Sequence, residues 1–403
     1  MEEKRLLFAC PVNYLDPSNG ASIATREILL ALAGQGWKIH TFCGCKLDFV
    51  RDENVWQLLS DRGVTPISTV HNTGGERFTL VNYLDGPIYS TLFLPEDRTD
   101  PYPPHIDKIY HRLIQKVMQS FTPQAVLTYG GSAATLRMMK MEGAKVAVAI
   151  HNCAYNEAAY TNEADLLLVP SQFSRTLYKD RLGTDSVPVP TLLKHLPDPS
   201  QFNNDQRQFV TMVNPDGYKG VLYFAAIVKA LNQSRPDIPF LAVEGRGSWN
   251  SLSVVMPILK DVTNLYAMTN TMEPQDFLDV TKVMLVPSHF NETFGRVPVE
   301  AMMNGIPVIG STRGSLPEVL GDAGILLNIP PRHTPTSGTL PTDDEIEPWI
   351  RAIIELWDNS EHYTNISRKV RERSERWDYN HVAQQYDEIL TGLILNQQLR
   401  IAG

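Results

Sequence analysis

The sequence has few cysteines and no long apolar run. Four cysteines among 403 residues are too few for a disulfide scaffold, so we expect reduced thiols. No apolar stretch approaches the ~18 residues that a membrane-spanning helix needs. The N-terminal apolar stretch is also too short for a signal peptide. We therefore expect a cytoplasmic protein without a transmembrane segment.

Several motifs that would define a function class are also missing. The 36 basic and 45 acidic residues show no basic cluster, which argues against a nucleic-acid partner. No Asp-x-Asp motif is present to hold a divalent cation, and His40, Cys43 and Cys45 are too few ligands for zinc. There is no Walker loop and no Gly-x-Ser-x-Gly motif. We therefore expect neither a bound metal nor a cofactor.

The chain does contain short β-rich runs that alternate with helical runs almost from end to end. Runs that are apolar throughout, such as Lys145–Ile150 and Asp165–Val169, are typical of parallel strands buried on both faces. The proline-rich segment Val187–Asn204 indicates a domain boundary. This pattern predicts an α/β protein with two doubly wound, Rossmann-like domains, and we expect ligands in a cleft between them, beyond the carboxyl ends of the strands.

Some segments are predicted as loops or have ambiguous ends. His71–Tyr89, Leu94–Ile106 and Pro330–Pro341 are predicted to be loops, the last two because of their prolines and polar residues. The helix near Thr342 has two possible starts. A capping box with Glu345 favours Thr342, whereas Pro348 prefers the first turn of a helix and favours a start near Glu347.

The most informative stretch follows the predicted strand Lys282–Val286. Glu292 and Glu300 are separated by seven residues, a spacing that carries little information alone. Gly295 permits a tight turn before a predicted helix, which places Glu292 at the carboxyl edge of a sheet and Glu300 within the helix. Exposed N–H groups between the two glutamates would suit an anion or sugar hydroxyls. The alternative is an ordinary strand–turn–helix with two surface glutamates.

A second stretch, Asn214 to Gly220, predicts a strand, a turn and a helix that opens at Lys219. A lysine at a helix N-terminus opposes the helix dipole, so its placement calls for an anion. In the N-terminal half, Gly20 follows the first strand and would let the backbone approach a phosphate or a sugar. A dinucleotide-binding loop needs three glycines, so an NAD-binding domain is disfavoured.

The stretch around the two glutamates carries a family resemblance. Pro287-Ser-His-Phe-Asn-Glu-Thr-Phe-Gly-Arg-Val-Pro-Val-Glu-Ala-Met-Met-Asn-Gly, continued to Gly324, resembles the donor-site signature of family 4 retaining glycosyltransferases, which have the two-domain GT-B fold. The resemblance implies a nucleotide-sugar donor, of the UDP or GDP type, in the C-terminal domain. It implies that Glu300 holds the ribose and Lys219 the diphosphate. Glu292 and the backbone of Thr293, Phe294 and Gly295 would hold the donor sugar.

The chain departs from the family pattern at some positions. The family has an arginine five residues before the lysine, where this chain has Asn214, so one cationic contact is missing or supplied by Arg246, Arg296 or Arg313. The family usually has a glycine pair where this chain keeps only Gly20. Family members also place a histidine close to the transferred sugar.

His151, which ends the strand Lys145–Ile150, matches that histidine in position. It lies at a carboxyl strand edge, where it would orient the sugar or stabilise positive charge. A structural role is the alternative reading, because a lone histidine is more often structural. We place it with Glu292 as the candidate catalytic residues.

The resemblance also implies an activity and a domain plan. The expected enzyme is a hexosyltransferase-type glycosyltransferase that moves a sugar to an unidentified hydroxyl acceptor, with retention of configuration and without a metal. Residues 1–195 would form the acceptor domain and 196–376 the donor domain, with a helix in 377–403 packing back toward the first. The alternatives are a GT-B phosphorylase, a sugar-nucleotide epimerase, or a catalytically weakened sugar-nucleotide-binding protein. The sequence does not indicate an oligomeric state.

Overall fold

The structure is a computed structural model, and it describes residues 3–17, 19–47, 55–99, 101–193, 206–245, 255–271 and 273–396. The chain divides into two compact units. The first contains Met1–Leu192 together with Tyr379–Gly403, and the second contains Leu193–Asp378. The sequence-based boundaries lay at 195/196 and 376/377. Arg246 lies outside the described residues.

The first unit is built on a nine-stranded sheet with the order β3-β4-β5-β2-β1-β6-β7-β8-β9. Its neighbours are parallel except at β3–β4 and β4–β5, which pair antiparallel. In the centre of the sheet, Phe8 lies opposite Thr41 and Leu127 of the flanking strands. The strands are β1 Arg5–Val12, β2 Lys38–Lys46, β3 Ile67–Thr73, β4 Glu76–Asp85, β5 Ile88–Pro95, β6 Ala125–Thr128, β7 Lys145–Ala149, β8 Leu166–Val169 and β9 Val187–Pro188.

Helices bury two separate apolar clusters against this sheet. The buried stripe of α1, which includes Ile28 and Leu32, belongs to one cluster, and α3 contributes Ile109 and Ile114 to the other. Two covered faces are what the apolar strands require, because neither face can be left in water. The helices are α1 Gly20–Gly34, α2 Val55–Asp61, α3 Pro104–Phe121, α4 Ala133–Met141, α5 Ala158–Thr161, α6 Gln172–Leu182 and, from the C-terminal part of the chain, α14 Tyr379–Ile394.

Helix α14 packs against α1 and completes the first cluster with Val382, Tyr386 and Leu390. A polar contact fixes the same helix, because the Asp387 carboxylate accepts a hydrogen bond from Trp37 Nε1 at 2.6 Å and pairs with Lys4. Burial raises the pKa of Asp387, but these hydrogen bonds outweigh it and hold that pKa below its usual value.

Two of the predicted loops are wrong in part. The segment His71–Tyr89 contains the antiparallel strand β4 and the ends of β3 and β5. Gly74 and Gly75, with φ of 66° and 86°, make the two-residue turn between β3 and β4, a geometry that favours glycine at both positions. Leu94–Ile106 begins inside β5 and ends inside α3, because Pro104 opens that helix rather than extending a loop.

The second unit is built on a six-stranded parallel sheet with the order β12-β11-β10-β13-β14-β15. One apolar cluster contains the strand side chains together with those of the helices. The strands are β10 Phe209–Val213, β11 Phe240–Val243, β12 Leu265–Met268, β13 Thr281–Val286, β14 Val308–Ser311 and β15 Ile325–Leu327. The helices are α7 Val221–Ser234, α8 Met256–Leu259, α9 Gln275–Leu278, α10 Arg296–Met303, α11 Leu316–Leu320, α12 Asp343–Asp358 and α13 Ser360–Ser374.

The ambiguous helix start is resolved in favour of the capping box. Helix α12 begins at Asp343, with Thr342 as its N-cap and with Glu345 hydrogen-bonding back to the N-cap backbone. Pro348 therefore lies inside the helix, where it removes one backbone hydrogen bond without ending the helix. Among the helices of the described part of the chain, none has the length and the apolar character needed to cross a bilayer.

Candidate active site

The turn between β10 and α7 holds Lys219 in a fixed backbone geometry. Asn214 adopts a left-handed φ of 60° and donates its N–H to the carbonyl of Val243 at 2.8 Å. The Asp216 carboxylate accepts from the backbone N–H of Lys219 at 2.9 Å. The first contact ties the turn to the end of β11 and the second is local to the turn, so the lysine side chain is presented at the carboxyl end of β10.

Gly220 is the N-cap of α7, and no other residue fits its position. Its φ is 83°, and a Cβ there would lie 1.8 Å from the carbonyl oxygen of Pro287. Pro287 follows β13, the neighbour of β10 in the sheet. The absence of a side chain at Gly220 therefore lets the loop after β13 lie directly against the turn that carries Lys219.

Glu292 lies on that loop and is 5% exposed. Its Oε1 accepts hydrogen bonds from Lys219 Nζ and from Ser288 Oγ, each at 2.7 Å. Its backbone is held as well, because its carbonyl accepts from the N–H of Ser315 at 2.8 Å. Gly314 packs so closely that a Cβ there would lie 2.3 Å from the carbonyl oxygen of Glu292. The side chain and the backbone of Glu292 are therefore both held by neighbouring residues.

The Lys219–Glu292 contact concerns the anion that the sequence predicts beside Lys219. The lysine at the start of α7 was expected to call for an anion, and the Glu292 carboxylate supplies one. The lysine side chain remains 28% exposed, and its ammonium lies 4.8 Å from the centre of the Phe290 ring. The ammonium thus lies against an acidic and an aromatic neighbour, while part of the lysine side chain stays open to solvent.

Helix α10 carries the second glutamate. Gly295, with φ of 81°, is its N-cap, and Glu300 is 7% exposed within the helix. The Arg296 guanidinium donates to Glu300 Oε1 at 3.2 Å, an i,i+4 pair on one face. The predicted strand–turn–helix is confirmed, and Glu300 is a buried, paired carboxylate rather than a surface residue.

The loop residues between the two glutamates are mostly buried. Thr293 is 9% exposed, and Phe294 packs its ring edge-on against Trp377 at 5.9 Å. Phe294 thus anchors the turn in the core of the second unit. The backbone of Thr293 to Gly295 then leads directly into the N-terminus of α10, where backbone N–H groups lack helical partners.

Of the arginines expected to supply the cationic contact missing at Asn214, Arg296 and Arg313 lie within the described residues. A Cβ at Gly245 would lie 3.1 Å from Asn214 Cβ, so the following strand end lies close to it. Arg313 donates to the carbonyls of Ile329 and Pro330, each at 3.2 Å, and so holds the predicted loop. His289, behind Gly220, is neutral at physiological pH because burial lowers its pKa to about 4.

The two candidate residues of the first unit lie at one edge of its sheet. Gly20 is the first residue of α1, and a Cβ there would meet nothing within 4 Å, so packing does not require a glycine. His151 follows β7, with Nε2 3.4 Å from Thr25 Oγ1 of α1. The Tyr129 ring meets the imidazole edge-on at 5.4 Å. His151 is thus held in place by two side chains.

Some of these supporting residues were missed from the sequence. Ser288 and Phe290 lie in the quoted signature, but no spacing rule indicates that they contact Glu292 and Lys219. Asp216 belongs to an Asn-Pro-Asp-Gly turn, in which an aspartate commonly bonds to the backbone. The turn sequence could therefore have indicated the role of Asp216. Among the described residues, no group of three or more histidine, cysteine, aspartate or glutamate side chains is arranged to hold a metal ion.

Comparison with known proteins identifies the second unit. Residues 195–373 match the family described as glycosyl transferases group 1. A lipopolysaccharide 1,2-N-acetylglucosaminetransferase of Salmonella typhimurium is 25% identical in an alignment of 290 residues that covers 64% of this chain and 73% of the relative. The chain therefore contains a group 1 glycosyl transferase domain, and the expected transferase class is confirmed.

Solved structures confirm the expected fold class. A glycosyltransferase from Rickettsia africae superposes with a TM-score of 0.70 at 14% identity, covering 98% of this chain and 100% of that one. The pneumococcal O-GlcNAc transferase GtfA, solved with UDP and GlcNAc, superposes with a TM-score of 0.68 at 10% identity, with the same coverage. The chain thus has the two-domain α/β architecture of GT-B glycosyltransferases.

Proposed function

We propose that the chain is a retaining glycosyltransferase that moves a sugar from a UDP-sugar to a hydroxyl acceptor without a metal ion. The observation that carries the proposal is the Lys219–Glu292 pair at the carboxyl ends of the adjacent strands β10 and β13. An ammonium for a diphosphate and a carboxylate for sugar hydroxyls stand side by side there, next to two helix N-termini. The UDP donor is suggested by the UDP bound to the pneumococcal relative.

Both glutamates would bind the nucleotide-sugar donor. Glu292 binds Lys219 and Ser288 through Oε1, which leaves Oε2 to accept from a hydroxyl of the donor sugar. Glu300, held by Arg296, would accept from the ribose hydroxyls. The N–H groups at the start of α10 would face the sugar or the diphosphate. Asn214 supplies an amide where a cation is usual in similar proteins, so Lys219 carries more of the charge neutralisation.

The reaction would be driven by stabilising the departing diphosphate. As the bond from the anomeric carbon to the phosphate oxygen breaks, negative charge builds on the β-phosphate, where Lys219 and the N-terminus of α7 would stabilise it. One such donor typically contributes about 2–4 kcal/mol in the transition state. The acceptor hydroxyl would attack from the same face and pass its proton to the departing phosphate oxygen. His151 would orient the sugar and stabilise positive charge at the anomeric carbon.

Donor binding is tested by thermal shift with UDP, GDP, UDP-glucose and UDP-N-acetylglucosamine, each in EDTA. We expect UDP and a UDP-sugar to raise the melting temperature, and Lys219→Ala and Glu300→Ala to weaken that effect by at least about tenfold in affinity. Lys229→Ala, an exposed lysine on the same helix, is the matched control. Unchanged affinity in Lys219→Ala would show that the donor is not held here.

Transfer is tested by release of UDP in the presence of hydroxyl acceptors. His151→Ala should lower turnover while donor affinity stays unchanged, and the anomeric proton of the product should show by NMR that configuration is retained. Turnover that requires inorganic phosphate would identify a phosphorylase instead. Interconversion of UDP-sugars without UDP release would identify an epimerase, and binding without any turnover a sugar-nucleotide-binding protein.

A further inference from the structure

The edge strand β3 is unusually open for the edge of a sheet. Of its seven residues, Ile67–Thr73, all but His71 are exposed, and Ile67 and Val70 are 73% and 57% exposed. Natural sheets protect their edges with short strands, prolines, lysines or a covering element. β3 contains no proline and no lysine, and it carries no charge when His71 is neutral.

The other edges of the two sheets are protected in these ways. β9 has two residues, one of which is Pro188. β12 has four residues and β15 has three. β3 is therefore the longest and least protected edge of the two described sheets, and its unpaired N–H and C=O groups form a ready template for another strand.

The hairpin geometry determines which backbone groups of β3 point outward. A two-residue turn closes on a hydrogen-bonded pair, which here is Thr73 with Glu76. Hydrogen-bonded and non-hydrogen-bonded pairs then alternate along the strands, so Thr69 and His71 bond to β4. The N–H and C=O groups of Ser68, Val70 and Asn72 consequently point away from the sheet.

We propose that β3 pairs antiparallel with β3 of a second copy of this chain, about a two-fold axis that passes beside Val70. The three residues with outward backbone groups are spaced symmetrically about Val70. In this register Val70 faces the partner's Val70, and Ser68 faces the partner's Asn72, so every outward N–H and C=O meets its complement. The two sheets join into one continuous sheet.

The side chains suit the same register. On one face the two Val70 side chains meet, so apolar surface that is exposed in the single chain becomes buried. Ser68 lies beside the partner's Asn72 on the same face, so two polar side chains are paired. On the other face Thr69 meets the partner's His71. No like charges face each other across the pair, since Arg77 and Glu76 lie on β4, one strand further from the axis. A self-complementary edge of this kind makes a symmetric interface.

Cysteine pairing tests the register. Facing residues of a hydrogen-bonded antiparallel pair have Cα atoms about 5.5 Å apart, within disulfide range. We expect Val70→Cys, oxidised with diamide, to form a covalent dimer on a non-reducing gel. Ser68→Cys, on the same face and also exposed, faces the partner's Asn72 and should stay monomeric on the gel. Equal crosslinking of both variants, or none in Val70→Cys, would overturn the proposed pairing.

Solution mass tests the dimer itself. Light scattering across a concentration series should give the wild-type chain twice its mass of 45.2 kDa at high concentration. Val70→Lys, which places two like charges on the axis, should remain at the single-chain mass. Tyr266→Lys, a comparably exposed residue on the edge strand β12, is the control and should still dimerise. A single-chain mass for the wild type throughout, or a dimer in Val70→Lys, would refute the proposal.

Discussion

The contact between Lys219 and Glu292 should be measurable as a coupling free energy in the unfolding of the second unit. The pair joins residues 73 positions apart in the sequence through an Nζ–Oε1 distance of 2.7 Å. The whole side chain of Glu292 is 7% exposed and that of Lys219 is 28% exposed. The perturbation is a double-mutant cycle of Lys219→Met, Glu292→Gln and both together, since these changes remove charge while keeping most of the side-chain volume.

Burial sets the expected magnitude. At an effective dielectric constant of about 20, two unit charges at this separation attract with about 6 kcal/mol, and the loss of hydration on partial burial cancels most of that. We therefore expect a coupling free energy of about 1–3 kcal/mol. The pair Arg368–Glu372 has a comparable distance of 2.6 Å, but its side chains are 58% and 56% exposed, so its coupling should be about 0.5 kcal/mol or less.

The assay is urea unfolding of the wild type and the three variants, with hydrogen exchange of peptides from β10 and β13 reporting the second unit separately. The same cycle on Arg368 and Glu372 is the matched control. Effects of Lys219→Met and Glu292→Gln that add to within about 0.5 kcal/mol would mean that the two groups do not interact. A coupling no larger than that of the exposed pair would refute the argument from burial.

The other predictions concern backbone geometry, helix docking and the loop after β13. Gly220→Ala should unfold the second unit or destabilise it by more than about 3 kcal/mol in a urea titration, whereas Gly20→Ala, with open space around it, should stabilise the first unit by about 0.5–1 kcal/mol. Asp387→Asn should cost about 1–2 kcal/mol at pH 7. Because the folded pKa of Asp387 is depressed, that difference should begin to shrink below about pH 4 and be lost as the pH falls through the lower, folded pKa, and a difference that stays constant through this range would contradict it; Glu388→Gln is the exposed control. Ser288→Ala should weaken binding of the UDP-sugar more than binding of UDP, by isothermal calorimetry, because it frees the Glu292 carboxylate to turn.

Much of the architecture follows from local periodicity. The apolar strands β7 and β8 and the buried stripe of α1 were predicted because burial on two faces, or on one stripe, leaves its mark in consecutive residues. The hairpin around Gly74 and Gly75 was missed although both glycines are visible, because whether two flanking runs pair depends on contacts that the local sequence does not specify.

In the candidate site, too, local features were predicted from the sequence and contacts between distant residues were not. Gly295 and the helix behind it were predicted, since a turn and a helix start are local events. The Lys219–Glu292 pair was not, because it depends on β10 and β13 being neighbours in the sheet. Arg313 shows the same limit, since an arginine that holds backbone carbonyls of a loop has the same sequence signature as one that is free to bind an anion.

The division of the chain into units has a consequence for synthesis. The first unit needs α14, which the ribosome makes only after the whole of residues 193–378. Until then the apolar stripe of α1 lacks its neighbour, and Trp37 lacks the carboxylate to which it donates. The half of the protein that emerges first is thus the last that can close, while the second unit can fold ahead of it. Nascent chains should therefore depend on chaperones most strongly at α1.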